Sequence, residues 1–365
     1  VETIFQTLSL DRSESRWEER IFDLTPVEGV GNLRFKREDK FAPLGYGGIN
    51  GSKLRQCIWL VTEYLKEPGA VGMISGTSVK SPQLPMGSAI AAHYGLKSLH
   101  VIGATNTDAA IRHENVAMAT WFGARFAINP NIAYNPVLQK KVRDLKETDP
   151  ELSQYFYLEY GITLDHHSHP GGRIERFHFI GSEQVRNLPD DMETLVIPSG
   201  SCNSTVSILY GLARFRPKNL KRVYLIGIGP PKLQLIEERL EIISRVAGLP
   251  TRLFKRDYIS HPDVQSEYEA TVDEPLYELI HHDLHTTGYV DYQTEVPFSY
   301  KGIEFHPTYE GKMMTYVCEK LPALLNHKSV FWIVGSKPRA ENMRALLAPR
   351  LGAFPTRINE YVQPK

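Results

Sequence analysis

Between residues 54 and 147 the sequence alternates, without exception, between helix-length amphipathic patterns and short apolar runs. Helical spacing is expected over 54–66, 86–94, 108–122 and 136–147, with strand-like runs at 70–75, 98–103 and 124–128 between them. Strands separated by single helices cannot pair as hairpins; they must cross over and lie parallel, and the crossover is right-handed. The expected fold class is therefore α/β, built from open, mostly parallel sheets flanked by helices. The rhythm breaks over 149–172, where aromatics, histidines and a Pro-Gly-Gly turn suggest a crossing between domains. It resumes with strands expected at 194–198, 222–228 and 329–335. Helices are expected up to Arg214, over 231–247, near 274–285, from 313 and from 339, and the stretch 250–270 reads as irregular. A strand is also expected in 20–40, leading into a glycine-rich turn.

A chain of 365 residues exceeds one ordinary core and suits two domains. Apolar residues make up 42% and charged residues 23%, a globular composition, and 42 basic side chains balance 42 acidic ones. Nothing global draws such a chain to nucleic acid, although a local basic patch is compatible with zero net charge. Cys57, Cys202 and Cys318 are far apart and form no CxxC pair, against a disulfide framework and a structural zinc site. No apolar run reaches the roughly 20 residues needed to span a bilayer, and the first residues lack a signal-peptide core. The expectation is a soluble, cytoplasmic protein.

Three places carry chemistry. The first is Gly47–Arg55, GGINGSKLR, which sets Lys53 at the mouth of an apolar helical pattern. Positive potential at a helix start and desolvation both push a lysine toward its neutral, nucleophilic amine. A neutral amine is what a Schiff base with pyridoxal phosphate (PLP) requires, and glycines let a flat cofactor approach the backbone. An ordinary helix-start lysine fits this stretch equally. The second place is Ser199–Thr205, SGSCNST, between an apolar strand and a helix: a phosphate cradle, or a plain capped turn. It is not a Walker loop, and no strict GxGxxG occurs; GIGPPK at 227–232 reads as a turn. The third is His306–Lys312, HPTYEGK, where Glu310 can hold a pyridine nitrogen protonated and Tyr309 can move a proton, unless the pair merely caps and packs. The histidines 166, 167, 169 and 178 match no helical ligand pair, so no metal is expected. Ser81 has no recognisable His-Asp partners for a hydrolase triad.

These segments, with TP at 25–26, KRED at 36–39, SPQ at 81–83, AIAAHYG at 89–95 and HPGG at 169–172, together resemble the PLP-dependent enzymes of the tryptophan-synthase-β fold type, fold type II. The likeness is nearest to 1-aminocyclopropane-1-carboxylate (ACC) deaminase and D-cysteine desulfhydrase, and spans nearly the whole chain. The resemblance implies a large cofactor-binding domain of residues 1–54 and 165–365, a small substrate-side domain of 55–164, and PLP in the cleft between them. It makes Lys53 the Schiff-base lysine, and Ser199, Gly200, Ser201, Cys202, Asn203, Ser204 and Thr205 the phosphate loop. Glu310 becomes the pyridine-nitrogen partner, Tyr309 the catalytic tyrosine, and Ser81, Pro82 and Gln83 the loop gripping the substrate carboxylate, Ser81 also counting as catalytic.

The chain departs from the family at that loop, which elsewhere reads Ser-Asn-Gln or Ser-Asn-His. Pro82 removes both a side-chain amide and a backbone N–H. The phosphate loop is also poorer in glycine than usual. The expected activity is an external aldimine with an amino-acid-type substrate, giving a Cα carbanion, and hence a lyase or deaminase. Pro82 and the basic residues Arg252, Lys255 and Arg256 motivate an alternative: a PLP-dependent decarboxylase or transferase acting on amino-acid-modified thymine in phage DNA. A catalytically degenerate ligand-binding homologue is the third reading, against which Lys53 and Glu310 speak. The resemblance implies a small amino-acid-like substrate and a homodimer.

Overall fold

The computed structural model describes residues 16–130, 134–249, 255–260, 264–266, 276–291 and 294–363. Two sheets organise them. The larger has eight strands: β1 (Val27–Val30), β2 (Leu33–Arg37), β7 (Thr194–Ser199), β8 (Arg222–Gly227), β9 (Lys255–Ser260), β10 (Val264–Ser266), β11 (Glu278–Asp283) and β14 (Ser329–Ile333), in the spatial order β1-β2-β14-β7-β8-β11-β9-β10. Its six inner strands are parallel, and only the edge pairs β1–β2 and β9–β10 run antiparallel. The smaller sheet is parallel throughout, with β3 (Gly72–Gly76), β4 (Lys97–Gly103), β5 (Arg125–Asn129), β6 (Phe156–Tyr157) and β15 (Asn359–Glu360) in the order β15-β5-β4-β3-β6. The chain thus leaves the larger sheet, builds the smaller one, returns, adds a separate antiparallel pair, β12 (Ser299–Tyr300) and β13 (Ile303–Glu304), and places β15 beside β5.

The α/β class follows from which residues are buried. β14 reads SVFWI and is buried at every position, as a strand covered on both faces must be. The helix Gln83–His93 is likewise buried at all eleven positions, so it shows no amphipathic stripe. Its start at Gln83 lies three residues before the expected one. The helix Ser52–Tyr64 buries Leu54, Cys57, Ile58, Leu60 and Val61.

Several expectations are corrected. The segment near 274–285 is not a helix but contains β11, parallel to β8; a short apolar run does not distinguish the two by period. Part of the stretch expected to be irregular forms β9, parallel to β11, while Arg252 lies outside the described residues. The helix expected over 108–122 is broken into Thr107–Ile111 and Glu114–Trp121. The stretch 149–172, read from sequence as a crossing between domains, runs at its end into a helix, Gly171–Ser182, that the Pro-Gly-Gly turn conceals.

No helix among the described residues is long and apolar enough to cross a membrane.

Candidate active site

A cleft enclosing about 630 Å³, open solvent included, is lined by Lys53, Pro82, Met86, Gly200, Ser201, Cys202, Ser204, Thr205, His306 and Tyr309, together with Asn50, Pro198 and the turn Val334–Ser336. The segments singled out from sequence thus meet in one place. No acidic residue is among these lining residues.

Lys53 is the second residue of the Ser52–Tyr64 helix. The turn before it is fastened to the end of β14: Ser52 N–H donates to Val334 O at 2.8 Å, and Ser336 N–H to Asn50 Oδ1 at 2.8 Å. Only glycine serves at position 51, where φ is +97° and a Cβ would stand 2.5 Å from Val334 O. Burial lowers the Lys53 amine from 10.5 to about 8, helped by the nearby Lys232 charge and opposed by Cys202. The amine is therefore readily freed of its proton at neutral to mildly basic pH.

The Ser199–Thr205 turn carries β7 into the helix Asn203–Phe215. Cys202 holds a left-handed conformation, φ +69°, at the helix N-cap. Ser199 Oγ and Thr205 Oγ1 lie 3.0 Å apart and brace the turn from within. Gly200 faces the Tyr309 ring, and a Cβ there would come within 3.0 Å of it. Burial raises the Cys202 thiol, while Ser199 and the charges of Lys232, Arg239 and Lys53 pull it down.

Glu310 opens the helix Glu310–Lys320 but does not cap it. Its Oε1 accepts the Val334 N–H at 2.7 Å; its Oε2, equally buried, has no hydrogen-bond partner. Burial pushes this carboxyl up to about 8 despite the nearby backbone N–H groups of Glu310 itself, Val334 and Gly335. An unpartnered, protonated carboxyl oxygen behind the cleft wall suits a basic ring nitrogen with which it can share that proton. His306, in contrast, is held neutral, at about 3, chiefly by burial and then by the charges of Lys337, Lys53 and Lys312.

Not every expected ligand faces the cleft. Ser81, Gln83, Ser199, Asn203 and Glu310 are not among the lining residues. Gln83 gives its amide N–H groups to the carbonyls of Leu158 and Glu159, and its Oε1 takes the Gly161 N–H. Asn203 donates to the carbonyls of Gly161 and Ile162. Conversely, Asn50, Met86, Pro198, His306 and Val334–Ser336 line the cleft without having been singled out as site residues; the sequence signal for Asn50 and His306 was their place inside the two motifs. Asp165, His166 and His167 bring ligand atoms within 4.8 Å of one another, and His166 Nε2 is 3.0 Å from Glu238.

The same architecture occurs in solved enzymes. An ACC deaminase homologue superposes with a TM-score of 0.61 at 14% identity, covering 89% of this chain and 94% of its own. Escherichia coli diaminopropionate ammonia lyase gives 0.51 at 10% identity, covering 96% and 92%. The fold is that of the two-domain, fold-type II PLP enzymes. At the level of sequence, the chain is 44% identical over 378 aligned positions to the O-seryl-dTMP PLP-dependent decarboxylase of Salmonella phage ViI, covering 94% of this chain and 88% of the phage protein. The chain belongs to this PLP-dependent family, and pyridoxal 5'-phosphate is its cofactor. No protein-family sequence model matches it.

Proposed function

We propose that this enzyme is a decarboxylase whose substrate is an amino acid carried on a thymidylate unit, and that Lys53, the Gly200–Thr205 turn, Glu310 and Tyr309 serve its cofactor. The cleft and the group behind its wall suit PLP: an amine poised to lose its proton, a turn of backbone N–H groups at a helix start, and, behind Tyr309 and Val334, a buried carboxyl lacking one partner. Lys53 would hold the aldehyde carbon, the turn the phosphate, and Glu310 the ring nitrogen. When bound, PLP supplies an electron sink for the pair left on Cα as a bond to it breaks.

The observation that carries the choice of bond is the scarcity of donors in the turn 81–83, where the cleft-lining residue is Pro82 and the Ser81 hydroxyl lies off the lining. Ser81 N–H donates to Ser78 O at 2.9 Å, Pro82 has no N–H, and Gln83 N–H donates to Ser81 Oγ at 3.2 Å. The Gln83 side chain is committed to residues 158–161. A deaminase must keep its substrate carboxylate bound throughout. Here the wall formed by Pro82 and Met86 gives that carboxylate little to bind. A poorly solvated carboxylate is relieved by leaving as neutral CO2. The Cα–carboxyl bond breaks, the electron pair stays on Cα, and we assign the returning proton to Tyr309. The phage relative's activity supports the same reading.

The test offers the PLP-loaded protein an oligonucleotide containing O-seryl-thymine, and in parallel D-cysteine and ACC. The reading predicts loss of the mass of CO2 from the modified nucleotide with its amine retained. Faster release of ammonia from the small amino acids would instead establish the lyase or deaminase reading. Binding to the oligonucleotide that weakens steeply with salt would place the substrate within DNA.

A further inference from the structure

The segment Leu158–Leu164 passes between the two sheets and is gripped from both sides. At its start Leu158 N–H donates to Ile74 O at 2.9 Å, tying it to β3 of the smaller sheet. Gln83, 2% exposed, brackets it with three hydrogen bonds: to Leu158 O at 3.3 Å, to Glu159 O at 3.0 Å, and from Gly161 N–H at 2.9 Å. From the other side Asn203, 1% exposed, donates to Gly161 O at 3.1 Å and Ile162 O at 2.9 Å. Arg239 closes the arrangement by donating to Asn203 Oδ1, to Thr163 Oγ1 at 2.7 Å and to Leu164 O at 3.1 Å.

Two features make this more than routine satisfaction of buried groups. Gln83 and Asn203 are each the first residue of a helix, and each directly follows a residue lining the cleft, Pro82 and Cys202. The segment they share is also strained. Ile162 is β-branched and fully buried, yet has φ +54°, and Cys202 beside Asn203 has φ +69°. Left-handed backbone at such residues persists only where the surroundings impose it.

We propose that Gly161–Ile162 is a strut setting the separation between the Pro82 wall and the phosphate turn, with Gln83 and Asn203 as positioning residues at its two ends. Events at one wall are then felt at the other. Shortening or loosening the Gln83 end changes how well the opposite turn holds the cofactor phosphate, although the side-chain hydrogen bonds of Gln83 go to residues 158–161 and not to that turn. This inference rests on the placement of the cofactor phosphate at residues 200–205 and is independent of which bond the enzyme breaks.

The experiment is a double-mutant cycle read as PLP affinity, by visible absorbance titration of the cofactor-free protein. Gln83→Leu is expected to weaken PLP binding by about tenfold, within the usual range for coupled sites. Asn203→Leu is expected to weaken it comparably, and the double variant no more than the worse single one. A Gln83→Leu protein with the parental PLP affinity, or shifts that multiply in the double variant, would overturn the proposal. Should either leucine variant fail to fold, Gln83→Glu and Asn203→Asp, which keep volume and remove donors, are titrated in the same way with the same two criteria. Failure of this cycle together with normal CO2 release would reject the strut while leaving the proposed activity intact.

Discussion

Glu38 and Arg55, seventeen residues apart in the chain, form an ion pair sealed from solvent: Arg55 Nε donates to Glu38 Oε2 at 3.0 Å, and the side chains are 0% and 1% exposed. Thr25 Oγ1 donates to the other Glu38 oxygen, and the Arg55 guanidinium also reaches Ile21 O at 2.8 Å. The two motifs KRED and GSKLR are thus two halves of one contact. Arg55 sits two residues beyond Lys53 on the same helix, so the pair fixes the helix that presents the amine. Glu38→Ala leaves a buried guanidinium without its partner and should cost about 3–5 kcal/mol of stability, measured by denaturant unfolding.

The Lys53 amine titrates at about 8 in the folded chain, against 10.5 as its ordinary value. Folding therefore disfavours its protonated form, and this contribution to stability improves as pH rises from about 8 to 10.5. After burial, the charge of Lys232 is the next cause of the shift. Lys232→Ala should move the pH midpoint for PLP attachment upward, read as the rate of appearance of the bound-cofactor absorbance across a pH series.

Glu310 shifts the other way, from 4.5 to about 8. Between those values the folded, cofactor-free protein holds a proton that the unfolded chain has released. This contribution is complete below about 4.5 and is lost as pH rises toward 8. Melting temperatures of the cofactor-free protein across that window should fall less steeply for Glu310→Gln than for the parent.

The alternation of strands and helices was legible because parallel strands covered on both faces leave continuous apolar runs such as TLVIP and SVFWI. The cleft was legible because Lys53, Cys202 and Tyr309 each sit at a helix start next to glycine or small polar residues. What escaped depends on partners distant in sequence. Gln83 and Asn203 look like ligands, and only the carbonyls of residues 158–162 reveal where their amides go. The segment that forms β11 reads as a helix from sequence because ELIHHD is too short to show a period, and its register with Arg222–Gly227 is tertiary information.

Pro82 bears on the choice of reaction. Pro82→Asn returns a backbone N–H and an amide to the cleft wall. The substrate carboxylate should then bind more tightly and leave more slowly, with decarboxylation falling about tenfold or more, the worth of one hydrogen bond to a charged group. A lower KM for D-cysteine in the same variant would show that the new donors reach a carboxylate.

The central claim is that Lys53 is the residue that holds the cofactor. Lys36 is the informative competitor, since burial lowers it too to about 8, but its amine is committed to Thr25 O and Asn187 Oδ1, each at 2.7 Å. Borohydride reduction of the PLP-loaded protein followed by peptide mapping separates the two. The account predicts a single pyridoxyl adduct, on the peptide containing Lys53; an adduct on Lys36 or any other lysine, with Lys53 unmodified, would contradict it.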